Sequence, residues 1–149
     1  MGPRIEAAFN PDVTTAVKLL HKAIQAGGAD PLVQELVHLR ASQINGCAPC
    51  AFAGVQQAKK RGETDERLHS VVTWRETPFF TEPERAALAL AEATTRIQDG
   101  APGVTDEVWA AAAEHFTEEQ LSAIILNIAM TNLFNRVNHA IREQAGKVW

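Results

Sequence analysis

Two cysteines, Cys47 and Cys50, are the residues whose type and spacing are best suited to chemistry. They are the only cysteines in 149 residues, and only Ala48 and Pro49 separate them. A disulfide between residues this close in sequence cannot link distant parts of a fold, but the two thiols can exchange electrons or help to bind a metal ion. A structural zinc site is disfavoured because it needs four ligands, and no second CxxC or nearby HxxxH pattern completes the set. Two buried, inert cysteines remain the alternative that the pair alone leaves open.

The residues around the pair predict the start of a helix. Asn45-Gly46 is a typical left-handed helix stop, so Cys47 falls at or near the next N-cap and Cys50 in the first turn. Free backbone N–H groups and the helix dipole favour a thiolate there, for either sulfur. The three-residue offset places both sulfurs on one side of this turn, close enough to bridge. A thioredoxin-type site is excluded because that motif needs a strand before the helix.

Helical periodicity runs through almost the whole chain, and strand signals are nearly absent. Capping residues mark the starts: Asp12, Asp30 before a proline, and the box spacings Thr81–Glu84 and Thr117–Gln120. We predict a single all-α domain over residues 1–149, a bundle of about six to seven helices. The predicted segments are approximately 12–25, 30–44, 47–62, 65–74, 81–98, 106–115 and 117–144.

Composition excludes several classes of function. A net charge of −4 and the absence of tyrosine argue against nucleic acid as a partner. No apolar run reaches the roughly 18 residues of a membrane span, so we expect no membrane partner. The first residues lack the apolar core of a signal peptide, which predicts a cytoplasmic protein. Structural disulfides are rare in that compartment, which favours a redox role for the pair.

Several segments resemble the AhpD-like alkylhydroperoxidases of the carboxymuconolactone decarboxylase superfamily. The most specific is ELVHLRASQINGCAPC at residues 35–50. The similarity continues through AKKRGET at 58–64, WRETPFF at 74–80, EPERAALA at 82–89 and NLFNRVN at 132–138. It therefore covers most of the chain from about residue 30 onward.

This resemblance implies an all-α bundle that assembles as a homotrimer or homohexamer and reduces hydroperoxides. One thiolate attacks the O–O bond and becomes a sulfenic acid, and the other cysteine traps it as a disulfide. By the same resemblance Cys50 attacks, Cys47 resolves, and Glu35 belongs to the site as a base or proton carrier. A dithiol protein or small thiol restores the pair, and no metal, haem or flavin is needed.

One position departs from the family pattern CxxCxxxH. Gly54 stands where the family has a histidine, which would contact Cys50 from the next turn and activate it. His38, one turn beyond Glu35 on the same helix, is the best replacement, although a partly exposed surface histidine is the simpler interpretation. His139 shares a polar stripe with Asn135, Asn138 and Arg142, which we interpret as a solvated or subunit-facing surface.

Two other functions stay open. A carboxymuconolactone decarboxylase-like enzyme would share the fold but would need no redox dithiol. A non-catalytic helical oligomer with a drifted site would explain Gly54.

Overall fold

The computed structural model describes residues 2–6, 8–100 and 102–146, and these residues contain seven α-helices, one 3-10 helix and no strand. This confirms the predicted all-α class. The helices are α1 (Pro11–Ala26), α2 (Pro31–Ile44), α3 (Ala48–Lys60), α4 (Asp65–Ser70), the 3-10 helix (Val71–Glu76), α5 (Glu82–Thr95), α6 (Asp106–Ala113) and α7 (Glu118–Ile141). No helix within the described residues is long and apolar enough to cross a membrane.

Capping side chains start most helices where the sequence predicts. The Asp30 carboxylate accepts from the Leu32 N–H at 2.8 Å and begins α2 at a proline. Thr81 and Thr117 each form a complete capping box. The first helix is the exception: Asn10, not Asp12, is its N-cap, because Pro11 occupies the first helical position and Val13 N–H bonds Asn10.

Three predicted helices are divided or end early in the structure. The predicted helix 65–74 breaks at Thr73, where Arg85 draws the Trp74 carbonyl towards α5 at 3.0 Å. The predicted helix 81–98 ends at Thr95. The last helix ends at Ile141 and not near residue 144. The backbone N–H of Arg4 donates to the Ile141 carbonyl at 2.7 Å, and Arg142 adopts the left-handed backbone conformation.

Helix α2 lies at the centre and packs against α3, α5 and α7. Its apolar residues face two core clusters: Val33 and Val37 pack with α5, α6 and α7, while Leu36 and Leu39 pack with α3, α4, the 3-10 helix and α5. A helix buried on several sides needs apolar residues around most of its circumference. Since α2 is fixed by these contacts, the turn that follows it holds the cysteine pair in a defined place.

A buried carboxylate, Glu92, joins α2, α5 and the 3-10 helix. Its side chain is 3% exposed and accepts hydrogen bonds from Arg40 (2.8 Å), Trp74 (3.0 Å), Arg75 (2.5 Å) and Arg96 (3.2 Å). Burial alone would raise the pKa of Glu92, but these donors, led by Trp74, outweigh burial and hold the pKa below its usual value. Glu92 is therefore a charged crosslink between elements.

Candidate redox site

The cysteine pair begins α3 as the sequence predicts. Cys47 is the N-cap, with extended backbone, and Cys50 is the third helical residue after Ala48 and Pro49. The two sulfurs form a disulfide across a Cα–Cα distance of 5.3 Å. Both residues are nearly covered, Cys47 at 2% exposure and Cys50 at 6%. Neither sulfur is open to bulk solvent, so any reactant has to reach the pair through a cleft.

A buried amide network fastens the turn before the pair to α7. The Asn45 amide donates to the side-chain oxygens of Asn132 and Asn135, both at 2.9 Å, and Asn135 donates to the Ser42 hydroxyl at 3.2 Å. The Cys47 N–H also bonds the Ser42 carbonyl at 3.0 Å. Gly46 has φ of 64°, a conformation that glycine adopts without strain. The turn is therefore held at both ends.

Asn138 contacts the sulfurs directly. Its Nδ2 lies 3.3 Å from Cys50 Sγ and 4.0 Å from Cys47 Sγ. The surface interpretation of the α7 polar stripe is therefore wrong for its asparagines: Asn135 is buried, and Asn138 is half-buried against the disulfide. His139 and Arg142 are exposed. The helical spacing of these polar residues was the sequence signal for Asn138, but only the packing of α7 decides which of them face the interior.

His38 of α2 contacts the backbone of Cys50 and is half-buried. Its Nδ1 is 3.1 Å from Thr131 Oγ1, and its Nε2 is 3.3 Å from the Cys50 carbonyl oxygen. The Thr131 hydroxyl already donates its proton to the Asn127 carbonyl at 2.8 Å, so it can only accept from His38. The Cys50 carbonyl oxygen likewise only accepts, so the neutral ring, with a single N–H, can donate to Thr131 or to Cys50 but not to both. The other ring nitrogen keeps a lone pair that can accept a proton.

The environment of His38 favours this neutral form. Burial lowers the pKa of His38 and is the largest influence, and the electrostatic influence of nearby His21 acts in the same direction. The bond to the Cys50 carbonyl and the negative charge of Glu35 oppose the change but do not cancel it. At pH 7 the ring is therefore mostly neutral, with a pKa below the usual value of about 6.5.

The His38 ring occupies the space that a side chain at position 54 would need. A Cβ on Gly54 would lie 2.8 Å from His38 Cδ2 and 3.2 Å from Nε2. Such contacts are closer than packed atoms tolerate, so the ring and a larger residue 54 exclude each other. The missing histidine on α3 is thus matched by a histidine from α2 that lies over the same turn.

Glu35 is close to His38 but is already paired. Its carboxylate bonds Arg61 Nε at 2.9 Å, and its side chain is 17% exposed. Glu35, His38, Gly54 and Arg61 line a cleft of about 660 Å³ between α1, α2, α3 and α7, which also contains His21. The structure therefore brings Glu35 and His38 together.

A second, smaller cleft of about 410 Å³ lies at the Cys47 end of the disulfide. It is bounded by Gly46, Cys47 and Pro49 at the start of α3 and by Asn138 and His139 near the end of α7. The disulfide, Asn138 and His38 thus lie between two separate clefts. Among the described residues, no three His, Cys, Asp or Glu side chains cluster in a way that suits a metal ion.

Comparison with known proteins places this site in a family. Residues 11–93, more than half of the chain, match the model of the carboxymuconolactone decarboxylase family. An uncharacterised protein of Bacillus subtilis, YdfG, is 34% identical over 126 residues, 85% of this chain and 84% of its own. The uncharacterised YnjA of Escherichia coli is 32% identical over 112 residues, 75% of this chain and 60% of its own.

Solved structures agree with this placement. A crystal structure from Agrobacterium tumefaciens, of a protein of unknown function described as a candidate antioxidant defence protein AhpD, superposes with a TM-score of 0.88. It is 32% identical, and the match covers 98% of this chain and 99% of that one. The debrominase Bmp8 in complex with 2,3,4-tribromopyrrole is 26% identical with a TM-score of 0.78, covering 91% of this chain and 71% of its own. The chain belongs to the carboxymuconolactone decarboxylase family and is AhpD-like within it.

Proposed function

We propose that the protein is a thiol-dependent hydroperoxide reductase whose redox centre is Cys47 and Cys50. The observation that carries the proposal is the disulfide at the start of α3, with the Asn138 amide at the Cys50 sulfur and the His38 ring at the Cys50 backbone oxygen. A reversible pair near free helical N–H groups supplies a thiolate and a partner to trap its oxidised form. The likeness to a candidate AhpD-type antioxidant protein supports the same activity.

The proposed oxidation needs two proton movements. The Cys50 thiolate attacks the terminal oxygen of the hydroperoxide, the O–O bond breaks, and the released alkoxide takes up a proton to become an alcohol. The Cys47 thiol then attacks the Cys50 sulfenic acid, which forms the disulfide and releases water. A dithiol returns two electrons and two protons to the pair and becomes a disulfide itself.

We assign the proton movements to His38, with Glu35 in support. In this proposal the neutral His38 ring, which contacts the Cys50 backbone oxygen at 3.3 Å, accepts the Cys50 thiol proton and returns it to the alkoxide. Glu35 lines the same cleft, and its charge favours the protonated ring. This role does not require a histidine at position 54, so Gly54 is compatible with activity.

The test follows consumption of hydrogen peroxide and of an organic hydroperoxide with dithiothreitol as the reductant. We expect Cys50→Ser and Cys47→Ser each to abolish turnover, and His38→Gln to lower the rate about tenfold or more, within the range for loss of a general base. The exposed His115→Gln is the matched control and should leave the rate unchanged. Unchanged turnover in both cysteine variants would refute the proposal.

The debrominase similarity favours a second candidate, thiol-dependent removal of bromine from a small aromatic ring. The pair would supply two electrons, bromide would leave, and a proton would take its place on the carbon. Bromide release from 2,3,4-tribromopyrrole in the same assay separates this activity from peroxide reduction. Decarboxylation of a muconolactone that survives alkylation of both thiols would instead support the decarboxylase alternative.

The proposal includes assembly as a homotrimer or homohexamer. Exposed apolar side chains on α7, Leu126 and Leu133, are 41% and 47% exposed in the single chain and are suited to contacts between copies. Sedimentation equilibrium measures the assembly directly, and a monomer at micromolar concentration would contradict it.

A further inference from the structure

The disulfide is asymmetric in its surroundings. Cys47 borders the 410 Å³ cleft at the start of α3, whereas Cys50 does not line that cleft and contacts Asn138 through its sulfur and His38 through its backbone oxygen. The exposed fractions of 2% and 6% are too similar to decide which sulfur a reductant meets first. The difference lies instead in what would happen to each sulfur when the bond between them breaks.

Thiol–disulfide exchange leaves a negative charge on the sulfur that is not attacked. That sulfur is a better leaving group when its thiolate is stabilised. Asn138 Nδ2 is 3.3 Å from Cys50 Sγ but 4.0 Å from Cys47 Sγ, so the amide is placed to donate to a Cys50 thiolate. A hydrogen bond to a charged sulfur is stronger than one to a neutral disulfide sulfur, so this contact strengthens as the bond breaks.

We propose that the reducing thiol enters the cleft beside Cys47 and attacks the Cys47 sulfur, and that Asn138 stabilises the departing Cys50 thiolate. The S–S bond of the pair breaks as the mixed disulfide between the reductant and Cys47 forms. The second thiolate of a dithiol reductant then attacks the reductant's own sulfur in the mixed disulfide and releases Cys47, which takes up a proton. Two electrons pass from the dithiol to the pair.

This assignment separates the two clefts by function. The reductant uses the Cys47 cleft, while the cleft of Glu35 and His38 serves the proton chemistry at Cys50. It rests on the redox cycle of the proposed function, but only on its reductive half. The return of Cys50 as a thiolate also leaves the attacking sulfur ready for the next oxidation. Asn138 is thus a catalytic residue of regeneration, because it contacts a reacting atom.

The direction of attack is tested without any peroxide. Oxidised protein is mixed with glutathione, quenched in acid within the first turnover, alkylated with N-ethylmaleimide and mapped by tandem mass spectrometry. We expect glutathione on Cys47 and the maleimide on Cys50. Glutathione mainly on Cys50 would overturn the proposal. Because peroxide is absent, a failure of hydroperoxide reduction cannot be confused with a failure of this step.

The role of Asn138 is tested by the rate of disulfide reduction with dithiothreitol. Asn138→Leu keeps the size of the side chain but removes the donor, and we expect an approximately tenfold slower reaction, as for one lost hydrogen bond to a charged group. In a Cys47→Ser background the same change should raise the Cys50 thiol pKa, measured by thiolate absorbance. A purely structural role would not move this pKa.

Two further variants keep the test decisive. Asn138→Asp preserves shape but places a carboxylate beside the sulfur, so it should slow reduction at pH 7 more than the leucine variant. Ser122→Ala changes an exposed position on the same helix and should leave the rate unchanged. Equal rates for the wild type and both Asn138 variants would overturn the role given to Asn138.

Discussion

Two groups of buried polar residues in this protein differ in how completely their polar atoms are hydrogen-bonded. At Glu92, one carboxylate accepts from four side chains, Arg40, Trp74, Arg75 and Arg96, and both of its oxygens are used. At the cysteine pair, the His38 ring and the Asn138 amide make single, longer contacts of 3.3 Å with Cys50. Clefts border the second group on two sides.

The difference separates stability from chemistry. A carboxylate with every lone-pair direction in use holds its neighbours but has little capacity left for a reactant. His38 retains a free lone pair, and the Asn138 amide faces a sulfur whose charge changes during the redox cycle. We infer that the Glu92 group fixes α2 and α5, and that the group around Cys50 can then remain incompletely bonded.

Glu92→Gln is the most direct test of whether the Glu92 group stabilises the fold. The change leaves the buried Arg40 without its counter-charge, and we expect a loss of about 3 kcal/mol in the free energy of unfolding. Urea denaturation measures this loss, and the exposed Glu82→Gln on the same helix should change little. Reduction of the disulfide by dithiothreitol, per folded molecule, should stay the same. A stable Glu92→Gln protein would show that the cluster is not structural.

The pH dependence of stability sharpens the same point. Because the Glu92 pKa is held below its unfolded value, its contribution is complete above about pH 4.3 and is lost as the pH falls through the folded-state pKa. Unfolding free energies measured between pH 6 and 3 should fall more steeply in the wild type than in Glu92→Gln. Parallel curves would contradict the assignment.

The packing of His38 over Gly54 predicts a smaller effect, a coupling of about 1 to 2 kcal/mol in the free energy of unfolding. Alanine normally stabilises a helix interior relative to glycine by about 1 kcal/mol. Here Gly54→Ala would place its Cβ 2.8 Å from the ring, so the gain should disappear or reverse. In a His38→Ala background the usual gain should return. A double-mutant cycle by thermal unfolding measures this coupling, and additive effects would refute the contact.

The smallest effect is the pH profile of the proposed peroxide reduction. His38 has a lowered pKa, so it is neutral and basic at pH 7 and becomes protonated only as the pH falls below about 6.5. We expect the rate to drop through that lower range in the wild type, and the drop to be absent in His38→Gln. The pH dependence of Cys50 alkylation by iodoacetamide gives the titration of the thiolate, so it separates that titration from protonation of His38. His21 and Glu35 are the other titratable carboxylate and imidazole groups that line the same cleft. Identical profiles would exclude His38 as the base.

Local signals predicted most of the fold. Asp30 with Pro31, and the boxes at Thr81 and Thr117, start helices as expected because a capping bond involves residues only two or three apart. The helix break at Thr73 and the early end of α7 were not predictable in this way. They depend on Arg85 and Arg4, which are distant in sequence from the carbonyls they bind.

The sequence by itself determined the all-α class, the family, and the cysteine pair at the start of a helix, because each depends on neighbouring residues or on one continuous motif. Only the tertiary structure decided which side chains face that pair. Asn138 lies 88 residues from Cys50 and His38 lies 12 before it, and both reach it through the packing of α2 and α7 around α3. Helical spacing placed His38 and Asn138 on polar faces, but the direction of each face was fixed by the burial of the apolar residues around it.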